Sequence, residues 1–148
     1  SPEARAGYFG ISQHTTRAEL LRAVFEGLAY AIVDSLQGYP QGGELYLTGG
    51  GAASATWLQI IADCTGRTVV SSPFNELSAR GAAILAARSV DALSRYPALE
   101  QTRYRPHPQA YSRYAALYPV YRLLREQMLP VWQARREALQ RISQEQRI

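Results

Sequence analysis

The sequence predicts an α/β fold built on a short parallel βαβ unit with flanking helices. Three observations carry that reading. Two β-like runs, "ELYLT" at 44–48 and "TVVSS" at 68–72, stand on either side of a single segment with helical spacing. That segment, "ATWLQIIADCT", has the punctuation of a helix, with Ser54 placed as N-cap and Gly66 as its close. Two strands joined through one helix form a right-handed crossover with the strands parallel.

The flanking elements follow in order. Residues 1–14 read as irregular, because Pro2, Gly7 and Gly10 interrupt any period. In "TRAE", Thr16 and Glu19 form a capping-box pattern, and behind it Leu20, Leu21, Val24, Phe25, Leu28, Ile32, Val33 and Leu36 recur at helical spacing. The expectation is a helix from Thr16 to Gln37, ended by Gly38 and Pro40. After the second strand, which Pro73 ends, "ELSARGAAILAARS" reads as a third helix rich in small residues, with Ala79, Gly81, Ala82 and Ala83 permitting either a close helix crossing or simple tight packing. Residues 90–108 turn polar and irregular, with "RYRPHP" as an extended wrap. The segment 109–145 has helical period but contains Pro119 and Pro130, so kinks or separate helices are expected there. Its stripe of Tyr111, Tyr114, Tyr118 and Tyr121 sits at helical period, which favours packing over a base-stacking platform.

Two strands cover three helices poorly, and a parallel sheet normally has more strands and both faces buried. Neighbouring strands are therefore expected before residue 1 or in another chain, and pairing between copies into a homo-oligomer is compatible with the apolar faces this leaves exposed. The chain begins at Ser1 with no initiator Met, so an excised or processed piece is expected.

Composition excludes several classes of function. With 148 residues, 47% of them apolar and 19% charged, the chain is long enough for one globular core. No apolar run is long enough to span a membrane, and the N-terminus lacks the basic and apolar regions of a signal peptide. Cys64 is the sole cysteine, and with only His14 and His107 beside it neither a disulfide nor a Cys/His metal cluster forms, so a reducing, cytoplasmic setting is expected. All sixteen basic residues are Arg, which removes a Walker A loop and its Lys. They run diffusely from Arg5 to Arg147, many near Glu, so the net charge of +4 describes a solvated surface and not a nucleic-acid partner.

The segment "LTGGGAASATW" is the candidate site. Glycines at 49–51 between a strand and a helix capped by Ser54 let backbone N–H groups approach a ligand at the positive end of the helix dipole. Spacing alone leaves the alternative open that they serve only a tight turn and close strand–helix packing. A dinucleotide fingerprint is not met: Gly49 and Gly51 fit its first two glycines, Ser54 holds the third place, and the second strand ends in Ser71-Ser72 without an acid. In-chain catalysis is also poorly supplied. Of the three Asp residues, Asp34 reads as solvated on the first helix, Asp63 closes the second helix, and Asp91 follows the third; neither His neighbours a nucleophile-elbow pattern.

Taken together and in order, "RAVFEGLAYAI", "LYLTGGGAASATWLQIIADCTGRTVV" and "ELSARGAAILA" resemble the C-terminal half of the FGGY carbohydrate kinases, with xylulose kinases the nearest group. "SPEARAGYFGIS" and "YRPHPQAYSRYAALYPVYRLL" extend the resemblance over nearly the whole chain. It implies part of an actin-like, ribonuclease-H-like ATPase fold, with residues 1–148 as the C-terminal portion of the second, nucleotide-binding domain and 109–145 as its helical tail. It further implies transfer of the γ-phosphoryl of ATP, with Mg²⁺, to a hydroxyl of a ketopentose such as xylulose. Carried over by position, the resemblance places Gly50 and Gly51 at the ribose and α-phosphate, Ser54 beside the adenine, and Gly49 and Ala52 at the turn. The general base and most sugar contacts belong to the family's first domain, so the expectation is no catalytic residue, no metal ligand and no kinase activity in this chain alone. The competing expectation is a non-catalytic actin-like module that only associates with a partner.

Overall fold

The computed structural model describes residues 4–40, 42–72, 76–90 and 99–145. Helix α1 spans Arg17–Ser35 and starts at the expected capping box, where the Thr16 hydroxyl accepts from the Glu19 N–H at 3.3 Å and the Glu19 carboxylate accepts from the Thr16 N–H at 2.7 Å. Strand β1, Leu45–Leu47, leads into a 3₁₀ turn, Gly50–Ala53, and then into helix α2, Ala55–Thr65. The Ser54 hydroxyl accepts from the Trp57 N–H at 3.3 Å, and Gly66 closes α2 in the left-handed region at φ 67°.

Strand β2, Val69–Ser71, pairs in parallel with β1 in the register Leu45 to Val69 and Leu47 to Ser71. The expected crossover is therefore present. The expectation of two strands is corrected: Thr102–Tyr104 forms a third strand, β3, antiparallel to β2 and paired Val69 to Tyr104 and Ser71 to Thr102. The sheet is mixed, in the order β1-β2-β3. A central strand whose residues are all buried needs hydrogen-bond partners on both edges, and β3 supplies the second edge.

The core lies between α2 and its neighbours, with Leu58, Ile61, Val69 and Val70 at most 1% exposed. Tyr30 of α1 meets Tyr114, Tyr118 and Tyr121 at ring-centroid distances of 6.0, 5.8 and 5.0 Å, and its hydroxyl donates to the Tyr114 carbonyl at 3.1 Å. Tyr111 packs over Gly66, where a Cβ would stand 2.6 Å from its ring. The tyrosine stripe is thus packing. The outward side of α1, with Leu21, Val24 and Leu28, stays exposed, so only part of the apolar spacing read from the sequence faces this core.

Helix α4 runs as one element from Pro108 to Glu145 through both Pro119 and Pro130, which corrects the expectation of separate helices. A proline inside a helix costs about 3 kcal/mol, and around Pro119 the packing of Tyr114, Tyr118 and Tyr121 onto Tyr30 opposes that penalty. Helix α3, Leu77–Ser89, has no buried residue, and a Cβ at Gly81 would meet nothing within 4 Å, so neither a close crossing nor tight packing is made among the described residues. Pro73 and Asp91 lie outside the described residues. Among the described residues no helix is long and apolar enough to cross a membrane.

Candidate functional site

A cleft of ≈ 730 Å³ opens where β1 and β2 end, the place at which open α/β sheets receive ligands. Ala52 and Ala53 of the 3₁₀ turn form one wall, Ser71 and Ser72 at the end of β2 the floor, and Glu100, Gln101, Thr102 and Tyr104 the opposite wall. The Ser71 hydroxyl donates to the Ala52 carbonyl at 3.3 Å, tying turn to floor.

Each residue singled out in the sequence has a definite place. Gly49 adopts φ 86°, a conformation that side chains disfavour, and its carbonyl accepts from the Ala52 N–H at 2.9 Å. Gly50 and Gly51 differ: neither has a positive φ. A Cβ at Gly50 would meet nothing within 4 Å, and one at Gly51 would lie 3.7 Å from the Trp57 indole, an ordinary contact. The backbone conformation of the turn therefore requires glycine at 49, while nothing among the described residues requires it at 50 or 51. Trp57, packed on Phe25 at 5.5 Å, braces the turn from behind. Ser54 caps α2, whose first turn leaves backbone N–H groups without intrahelical partners. Ala52 lines the cleft, while Gly49, Gly50, Gly51 and Ser54 sit on the same turn beside it.

The wall made by β3 was missed in the sequence, because Glu100–Tyr104 is short, polar and isolated from any repeating pattern. A buried acid holds it in place. Asp63, 5% exposed, accepts from the His107 N–H at 2.8 Å and from Gln59 Nε2 at 2.9 Å, and His107 Nδ1 lies 3.1 Å away. Gln59 Nε2 also donates to the Arg105 carbonyl at 2.8 Å. This latch fastens the link between β3 and α4 to α2.

Asp34 corrects the expectation of a solvated position. Its side chain is 14% exposed, accepts from the Tyr118 hydroxyl and pairs with Arg125, joining α1 to α4. Burial, and then Asp34 itself, push the Tyr118 phenol up to about 12. Burial and the Glu26 carboxylate, which accepts from its hydroxyl at 2.7 Å, do the same for Tyr114, also to about 12. Both described Asp residues are thus committed to structure, and neither lines the cleft. Among the described residues no group of three His, Cys, Asp or Glu could hold a metal ion.

Residues 1–90 match the model of the FGGY family of carbohydrate kinases, C-terminal domain. A probable L-xylulose kinase of Pasteurella multocida (strain Pm70) is 31% identical over 125 residues, covering 81% of this chain and 26% of its own length. The xylulose kinase of Escherichia coli (strain K12) is 32% identical over 143 residues, covering 88% of this chain and 29% of its own length. The crystal structure of a xylulose kinase from Rhodospirillum rubrum superposes with a TM-score of 0.75 at 28% identity, over 89% of this chain and 28% of that one. The chain thus spans under a third of the length of the relatives it matches.

Proposed function

The chain belongs to the FGGY family of carbohydrate kinases, and from that premise we propose that it supplies the nucleotide-binding side of an ATP-dependent sugar kinase, as the C-terminal portion of the second domain with 109–145 as its tail. The observation that carries the proposal is the pair Gly50 and Gly51. Their backbone conformation and surroundings among the described residues accept a side chain, so their lack of one fits the close approach of a ligand. The adjoining cleft at the strand ends has the position and size for a nucleoside.

In this reading Gly49 sets the turn, Gly50 and Gly51 bring backbone against the ribose and α-phosphate, Ala52 shapes the wall, and Ser54 stands beside the base. The positive end of α2 favours the anionic phosphates. The acceptor is a hydroxyl of a ketopentose such as xylulose, which is supported by the xylulose kinases among both the sequence relatives and the solved neighbours. Phosphoryl transfer depends chiefly on positioning and charge stabilisation, and this chain contributes the positioning of the donor. The described residues around the cleft do not form a Mg²⁺ donor set, so no step is assigned to the metal here. With Asp34 and Asp63 both bonded within the fold, neither serves as proton acceptor for the sugar hydroxyl, and in this reading the isolated chain binds nucleotide without turning it over.

Calorimetric titration of the chain with ATP, ADP and NAD tests the binding, and an ADP-release assay with xylulose tests the turnover. Adenine nucleotides should bind, NAD should bind no better than ADP, and no ADP should form with the chain alone. Absence of ATP and ADP binding by the folded chain would refute the assignment of the site, and sustained ADP release would refute the placement of the base.

A further inference from the structure

We propose that Glu100 is the ribose contact of this site, its carboxylate accepting hydrogen bonds from the 2′- and 3′-hydroxyls of the bound nucleotide. The inference rests on the nucleotide reading above and adds to it a residue from the opposite wall, outside the glycine segment.

Placement comes first. Glu100 lines the cleft across from Ala52 and Ala53, at the start of the wall that β3 forms. The second point is availability. Glu19, Glu26 and Glu44 each accept a hydrogen bond from a side chain or backbone of this fold. Glu100 makes no such bond among the described residues, so its two oxygens are open to a ligand. The third point is charge. Among its described residues the cleft presents one ionised side chain, Glu100, and no cation, so a triphosphate does not lie along this wall; the neutral nucleoside does, with the phosphates turned toward Gly50, Gly51 and α2.

Donor and acceptor inventory then decides between sugar and base. A carboxylate only accepts, through two oxygens, and a vicinal diol offers two donors at matching separation. The pairing edge of adenine places a ring acceptor beside its amino donor, so a carboxylate set against it faces a lone pair. Guanine, with two adjacent donors, would suit a carboxylate on its edge. For an adenine nucleotide the partner of Glu100 is therefore the sugar.

The test titrates the wild-type chain, Glu100→Gln and Glu100→Ala with ATP, 2′-deoxyATP, 3′-deoxyATP and GTP. Glu100 is exposed, and an unchanged unfolding midpoint confirms that the variants fold. Wild type should prefer ATP over each deoxy analogue by about tenfold, the range expected for a hydrogen bond to a charged group. Glu100→Ala, which removes both hydrogen bonds, should weaken ATP by at least that factor and erase the preference, and Glu100→Gln should retain part of it. A preference unchanged in Glu100→Ala, with ATP still bound, overturns the ribose contact and leaves the nucleotide site standing. A wild-type preference for GTP that disappears in Glu100→Ala overturns it in favour of a base contact. If no nucleotide binds the wild-type chain, both readings fall.

Discussion

Gly50→Ala separates the needs of the fold from the needs of a ligand, and its outcome can be worked out from the turn. Among the described residues a Cβ at Gly50 meets nothing within 4 Å, and the residue does not occupy the left-handed region. Under those conditions Gly to Ala restricts the unfolded chain and stabilises the fold by about 0.4–1 kcal/mol. Gly49→Ala is the control. At φ 86° and ψ −172°, a region that essentially only glycine occupies, an added Cβ costs about 1–3 kcal/mol, which outweighs the entropic gain. In a chain of this length 1 kcal/mol moves the unfolding midpoint by about 2–4 °C. Without ligand, Gly50→Ala should therefore melt slightly higher than wild type and Gly49→Ala slightly lower. With ATP the order should change. A methyl group between backbone and nucleotide holds the ligand off, and a tenfold loss of affinity removes about 1.4 kcal/mol of ligand-dependent stabilisation at saturating ATP. Thermal unfolding followed by circular dichroism, with and without ATP, reads both effects in one experiment. If Gly50→Ala keeps the full ATP-dependent shift, the glycines do not face the nucleotide. If it destabilises the unliganded chain, the turn itself requires glycine and the argument from its dispensability fails.

Other parts of the structure give equally definite expectations. Asp63→Ala should lower stability by about 2 kcal/mol, because the His107 N–H and the Gln59 amide lose a buried charged acceptor, and Asp63→Asn should lose less; urea unfolding measures both, and a loss under about 0.5 kcal/mol would show that the latch is dispensable. Alkaline pH should destabilise the fold. Burial pushes the Tyr114 and Tyr118 phenols up to about 12 in the fold and raises Tyr30 as well, while unfolded phenols titrate at about 10. The unfolded chain then holds fewer protons than the native one, so stability is level below pH ~10 and falls as pH rises from there toward 12. Phenolate absorbance should develop together with unfolding, and full ionisation of a still-folded chain by pH ~10 would contradict this. Cys64 is buried and its thiol is pushed up to about 12 by that burial, so a thiol reagent should label it only in denaturant, whereas rapid labelling of the native chain would place it at the surface.

The local signals that proved readable are those in which neighbouring residues complete the physics among themselves. Thr16 and Glu19 satisfy each other's backbone within one helical turn, Ser54 and Gly66 bracket α2, and a strand–helix–strand order admits one handedness of crossover. The glycine segment was legible as a candidate, but its spacing could not separate a turn from a ligand site. Tertiary structure adds the φ of Gly49 and the open space around Gly50 among the described residues, both of which depend on how the turn sits against Trp57 and β2.

The sequence by itself determined helices α1 and α2 with their caps, the parallel crossover and the position of the glycine turn, because each is specified by residues within a few positions of one another. Tertiary structure alone decided the rest. Thr102–Tyr104 becomes a strand because β2 has an edge to complete, Asp34 and Asp63 become structural anchors because partners 84 and 44 residues away converge on them, and the second wall of the cleft exists because Asp63 holds the β3–α4 link on α2. Those outcomes depend on burial and on hydrogen bonds between distant segments, whose free energy appears only when the chain has brought them together.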